Sequence, residues 1–168
     1  MPVTRQQTLC KAERLNGKKQ VDSLFMGGRG RAMSIYPIRM IYAIGQCDAA
    51  SREPQAKIIV SVPKRYFKRA VKRNRVKRQL REAYRRNKHL LLDMLAQHPG
   101  TQVLIAFIWT SDELSDSAGI ESRMKKLLAR LGEKTTASLC HDSANGHDAS
   151  HGLRHGSSCS PSGSTSAA

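Results

Sequence analysis

Between Lys64 and Lys88 the chain carries 13 Lys or Arg residues and one acid, Glu82. Such a segment joins a compact fold only if one side anchors it while its cations stay in water. A helix turning by about 100° per residue achieves this separation. Val76, Leu80, Ala83 and Tyr84 then share one stripe that can pack on a sheet, and Asn74, Arg78, Arg81 and Arg85 share a narrow sector opposite it. Arg75 and Lys77 flank that sector. Glu82 lies four residues from both Arg78 and Arg86, at the spacing of helical ion pairs, and is expected to pin those two side chains.

Ordinary solvated faces mix charges of both signs, and this one does not. The whole chain repeats the bias: 29 Lys and Arg against 13 Asp and Glu give a net +16. Self-repulsion on that scale points to a polyanionic partner. Nucleic acid suits it, because phosphate neutralisation releases condensed counterions. Arginine suits it further, since its planar fork grips phosphate bidentately and stacks on bases. A membrane-surface helix is the competing reading; the modest apolar stripe and the arginine-dominated polar face weigh against it.

The charge is unevenly spread. Residues 133–168 are rich in Ser, Gly, His and Ala and carry two Lys or Arg against three acids, so the excess sits entirely on residues 1–132. The sequence therefore reads as one domain over 1–132 and a disordered tail over 133–168, too poor in aliphatic residues to offset the entropy of ordering. The tail residues Cys140, His141, His147, His151 and His155 are read as compositional bias rather than a metal site. Four scattered cysteines without a CxxC pair, no apolar leader and no bilayer-length apolar run suggest a soluble cytoplasmic protein.

Within the domain, Lys18–Met26 reads as a short helix with Val21, Leu24 and Phe25 on one face, stopped by Gly27-Gly28. Ile38–Ile44 and Lys57–Val62 read as strands, the first with Ile38, Met40 and Tyr42 on one side and Arg39, Ile41 and Ala43 on the other. A long helix follows from Ala70 to about Leu95. Val103–Trp109, apolar on both faces, reads as a central strand. Ile120, Met124, Leu127, Leu128 and Leu131 then recur at helical spacing, with Gly132 placed to end that helix. The order is helix, strand, strand, helix, strand, helix, an α/β (α+β) arrangement in which a small sheet packs against helices.

Nothing in this pattern suggests a protein-based active site. Two-metal hydrolysis needs grouped carboxylates, and acid–base hydrolysis a histidine pair. Asp112, Glu113 and Asp116 do cluster, but between a strand and a helix, where complementing the helix dipole explains them. His89 and His98 fall near the end of the long helix and in the loop after it. No catalytic side chain and no protein metal ligand are expected.

The segment Ser61–Lys88, SVPKRYFKRAVKRNRVKRQLREAYRRNK, closely resembles the signature of the bacterial ribonuclease P protein subunit. A strand ends in a Ser-Val-x-Lys-Lys-like turn and leads into an RNR-x-KR-x-x-RE helix, matched by Arg73, Asn74, Arg75, Lys77, Arg78, Arg81 and Glu82. Arg14-Leu15 before the first helix and Leu24-Phe25 followed by Gly28-Arg29 also resemble family patterns. The sequence departs from them at Val21, where many members carry an aromatic residue, and at Pro63 and Tyr66-Phe67.

The resemblance implies an α+β two-layer sandwich of about four strands, similar to a small-subunit ribosomal protein domain, with a left-handed crossover. It implies that Arg73, Asn74, Arg75, Lys77, Arg78, Arg81 and Arg85 face a catalytic RNA. The 5′ leader of precursor tRNA would lie in a cleft between the first helix and the sheet, floored by Phe25, Met40 and Tyr42, with Lys64 and Arg65 at its mouth. Phe25 and Tyr42 each suit either base stacking or the core. The RNA would hold Mg2+ and cut the phosphodiester, and neither DNA nor membrane is an expected partner. The alternative is a ribosomal-type protein that folds rRNA.

Overall fold

A computed structural model describes residues 8–26, 30–47 and 53–144. It contains α1 (Lys18–Met26), β1 (Arg31–Ile35), β2 (Ile38–Gln46), β3 (Ala56–Ser61), α2 (Ala70–Leu95), β4 (Thr101–Trp109) and α3 (Ser117–Ala144). The strands form one mixed sheet in the order β1-β2-β4-β3. β1 and β4 run antiparallel to β2, and β3 runs parallel to β4, so α2 is the crossover between two parallel neighbours.

Strand β4 sits centrally because both its faces are apolar. Val103, Ile105, Phe107 and Trp109 point to one side, where Met40 and Tyr42 of β2 stand opposite Phe107 and Ile105. Together with Ala56 and Ile58 of β3 they meet Val76, Leu80 and Tyr84 of α2 and Ile120, Met124, Leu127 and Leu131 of α3. Tyr84 and Phe107 pack as a tilted aromatic pair with centroids 6.0 Å apart. The other face is thinner: Ala43, Ala106 and the half-buried Ile41, Ile59 and Leu104 pack with Leu15 and with Leu24 and Val21 of α1.

Three features depart from the sequence reading. β1, an exposed five-residue edge element missed in the reading of local pattern, supplies the fourth strand that the family resemblance implies. It turns into β2 through Tyr36-Pro37, whose peptide bond is cis. Second, residues 13–15 cover the outer edge of β3: the Leu15 amide donates to the Ile58 carbonyl and the Ile58 amide to that of Glu13, both at 2.8 Å. An otherwise open strand edge is thereby paired.

Third, α3 passes through Gly132 and continues to Ala144, so residues 133–144, expected to open the tail, are helical. Gly132 does not cap the helix. It is buried, and a β-carbon there would collide with the Met94 sulfur, so the residue lets α3 approach α2 closely. Beyond it Thr135 is also buried, its hydroxyl returned to the Leu131 carbonyl at 2.8 Å. Gly30 has a comparable role, bringing the chain past the Leu24 carbonyl at the end of α1. Gly27, Gly28, Arg29, His147, His151 and His155 lie outside the described residues.

Candidate nucleic-acid interface

Helix α2 is anchored as its periodicity requires: Val76, Leu80, Ala83, Tyr84, Leu91 and Leu95 are buried against the sheet and α3. Burial holds the Tyr84 hydroxyl above its ordinary range, and the nearby Glu13 charge adds to that shift. On the outer side Asn74, Arg75, Arg78 and Arg81 are exposed, while Lys77 and Arg85 are half-buried. Among the described residues the Arg78 and Arg81 side chains have no hydrogen bond or ion pair. Both line, with Arg85, an open groove of about 670 Å³.

The two flanks of α2 are held differently. Toward α3, the Gln79 amide donates to the Ser117 hydroxyl at 3.0 Å and Arg86 pairs with Glu121 at 3.1 Å. Glu82 pairs with Arg85 at 2.5 Å and with Arg86 at 3.0 Å. It therefore pins Arg86 as expected, but its second partner is Arg85 rather than Arg78, which is left outward. The hydrogen bond from Arg85, aided by Arg86, draws the Glu82 carboxyl down to about 2. Toward β3, the nearly buried Lys88 ammonium donates to the Thr8 carbonyl at 2.6 Å and to Glu13 at 2.7 Å.

Arg73 does not share the outward orientation expected of it. One guanidinium nitrogen donates to the carbonyls of Phe67 at 2.8 Å and Lys68 at 2.6 Å. It lies about 100° back from Asn74 around the helix, toward the packed side, so it folds onto the turn that precedes α2. That turn needs the support: Arg69, at the N-cap, makes no side-chain capping bond.

The expected leader cleft is corrected more substantially. Met40 and Tyr42 are 0% and 1% exposed, and they lie on the sheet face covered by α2 and α3. They cannot floor a cleft beneath α1, which packs on the opposite face. The sheet residues on the α1 side are Arg39, Ile41 and Ala43 of β2, with Leu104, Ala106 and Ile108 of β4. Phe25 stays available at the end of α1, 46% exposed beside the buried Leu24. Lys64 and Arg65 are exposed in the turn after β3, where the Arg65 guanidinium lies 4.7 Å from the Tyr66 ring centroid and donates to its hydroxyl at 2.8 Å.

Of the carboxylates after β4, Asp116 takes the helix-entry role: it accepts from the Ala118 amide at 3.1 Å at the start of α3. His89 is exposed, its ring nitrogen 3.1 Å from the Arg86 carbonyl. Among the described residues no three His, Cys, Asp or Glu side chains gather as a metal site, and no helix is long and apolar enough to cross a membrane. Sequence reasoning missed Lys88 and Glu13 as a pair: 75 positions separate them, and neither belongs to a local pattern that would join them.

Comparison with known proteins shows the family. The family model described as Ribonuclease P matches residues 9–132. The ribonuclease P protein component of Porphyromonas gingivalis is 44% identical over 130 residues, covering 77% of this chain and 90% of that protein. That of Chlorobaculum tepidum is 36% identical over 132 residues, covering 76% and 84%. Among solved structures, the RNase P protein from Thermotoga maritima is 20% identical, covers 70% of this chain and 96% of its own, and gives a TM-score of 0.49. The basic helix, its anchoring and the match across the folded residues lead to one conclusion: the chain belongs to the ribonuclease P protein family.

Proposed function

We propose that this chain is the protein component of ribonuclease P, which binds the catalytic RNA through the outer face of α2 and assists removal of the 5′ leader from precursor tRNA. The observation that carries it is Arg78 and Arg81, exposed and without an ion-pair partner among the described residues, on a helix whose opposite stripe is fully buried. Guanidinium groups held outward on a rigid element meet phosphates with little loss of conformational freedom. Family membership favours this reading over a protein that folds rRNA.

The holoenzyme is an endoribonuclease, and the RNA supplies its chemistry. The Mg2+ of the reaction is assigned to the RNA, whose phosphate oxygens suit a hard cation that keeps several of its waters. The protein's contribution is thermodynamic: it screens charge between catalytic RNA and precursor tRNA, and it raises affinity for leader-bearing substrate over product. Phe25, exposed on α1, is the aromatic suited to stack on a leader base, with Lys64 and Arg65 as phosphate partners. The setting is the cytoplasm, where tRNA is processed.

Reconstitution tests this. The purified chain alone is expected to cleave nothing; added to the matching catalytic RNA it lowers the Mg2+ concentration needed to remove 5′ leaders. A chain that neither binds that RNA nor changes its Mg2+ requirement does not have this function.

A further inference from the structure

The basic face of α2 does not end at the helix. Arg14 lies outside α2, in the N-terminal segment, yet its side chain lines the same 670 Å³ groove as Arg78, Arg81 and Arg85. A second, smaller cleft at the edge of β3 is also bordered by Arg14 and Arg81, together with Asn16 and Val60. Arg14 is exposed, and among the described residues its guanidinium has no hydrogen-bond or ion-pair partner. A lone cation on a flexible leader would be unremarkable in so basic a chain. This one is held.

The segment is fastened twice. Residues 13 to 15 hydrogen-bond along β3, with Arg14 bridged in parallel to Ile58. Lys88 of α2 supplies the second fastening, its ammonium donating both to the Thr8 carbonyl and to the Glu13 carboxylate. A lysine and a glutamate with side chains only 11% and 15% exposed lose hydration on pairing. Lys88 is the one cation of the Lys64–Lys88 run that is almost buried, so its charge is unavailable to an RNA phosphate. Its place in the structure is to tie the N-terminal segment to the helix.

We propose that residues 8–15 form a strap that adds Arg14 to the RNA-binding face as a phosphate contact beside Arg81, and that Lys88, through Thr8 and Glu13, is the positioning residue that holds it there. This rests on the reading of α2 as an RNA-binding helix. Ordering the strap before binding removes an entropic penalty from the complex, because a preformed cation need not be immobilised when RNA arrives.

The test is the salt dependence of binding between the full chain and its catalytic RNA, measured for Arg14→Gln, Arg81→Gln, Lys88→Met and the Arg14→Gln/Lys88→Met double variant. Each lost phosphate contact flattens the plot of log affinity against log salt by roughly 0.7–0.9. Arg14→Gln and Arg81→Gln are each expected to lose about that much. Lys88→Met is expected to lose as much as Arg14→Gln, with no further loss in the double variant. Circular dichroism checks folding. If Lys88→Met does not fold, Glu13→Ala replaces it, with the same expected loss.

A normal slope for Arg14→Gln beside a reduced one for Arg81→Gln overturns the strap contact and leaves the helix reading intact. A reduced slope for Arg14→Gln with a normal one on unfastening, or additive losses in the double variant, overturns the role of Lys88. Normal slopes for both arginine variants remove the helix reading itself.

Discussion

Met94 of α2 lies against Gly132 of α3, with its sulfur in the space a β-carbon at 132 would occupy. A glycine in the interior of a helix ordinarily weakens it by about 1 kcal/mol relative to alanine. Here it permits the closest approach of two helices whose packing covers one whole face of the sheet. The contact lies at the boundary where the aliphatic repeat of α3 stops and the polar sequence begins.

Enlarging that position is therefore expected to destabilise the protein. Gly132→Leu costs about 1–3 kcal/mol through overpacking. Adding Met94→Ala to it recovers part of the loss. Urea denaturation of the single and double variants measures both effects, and an unchanged midpoint for Gly132→Leu would show that the helices are not tightly apposed.

The two aromatic candidates for the leader cleft separate cleanly. Tyr42→Ala empties a fully buried site and is expected to cost about 3–5 kcal/mol, with RNA and substrate affinity lost only as the fold is lost. Phe25→Ala, at a half-exposed site, is expected to change stability by less than about 1 kcal/mol and to weaken leader-bearing precursor tRNA more than leaderless tRNA. Equal loss for both RNAs would take Phe25 out of the leader site.

Arg73 and Arg78 are expected to behave differently although both belong to the same basic motif. Arg78→Ala flattens the salt dependence of RNA binding by roughly 0.7–0.9 and leaves the denaturation midpoint nearly unchanged. Arg73→Ala removes two charge-assisted bonds to the turn before α2 and lowers stability by about 1–3 kcal/mol, with the smaller effect on slope. Identical profiles for the two variants would contradict the observed orientation of Arg73.

Glu82 gives a pH signature. Its carboxyl is held at about 2 against an ordinary value of 4.5, so its pairing with Arg85 and Arg86 stabilises the fold fully above about pH 4.5 and ceases to do so as the pH falls through about 2. Because these side chains are about one-third to one-half exposed, the contribution is screened to about 0.3–1 kcal/mol. The stability difference between wild type and Glu82→Gln is expected to be present at pH 7 and to narrow between about pH 5 and pH 2. A difference that stays constant over that range would mean that the ion pairs contribute nothing.

Much of this fold is legible from local pattern alone. Helix α1 and helix α2 run over the residues that their periodicity and punctuation indicate, Lys18–Met26 and Ala70–Leu95, and the aliphatic repeat Ile120–Leu131 is entirely buried. β1 escaped because five residues at a sheet edge, only partly covered, need no alternation. The cleft floor escaped for a different reason. Alternation along β2 says that Met40 and Tyr42 share a face with Ile38, but the two faces of a strand are equivalent until helices are laid on them.

Local pattern is enough to place α1 and α2, to pick the stripe of α2 that is buried and to make its outer side cationic, because those properties follow from neighbours within about two turns of chain. Tertiary structure alone decided which sheet face receives α1, where Arg73 turns, how Gly132 is used and that Lys88 reaches Glu13. Each of those depends on a contact between residues far apart in the chain, whose meeting is set by the packing of whole elements rather than by any local preference.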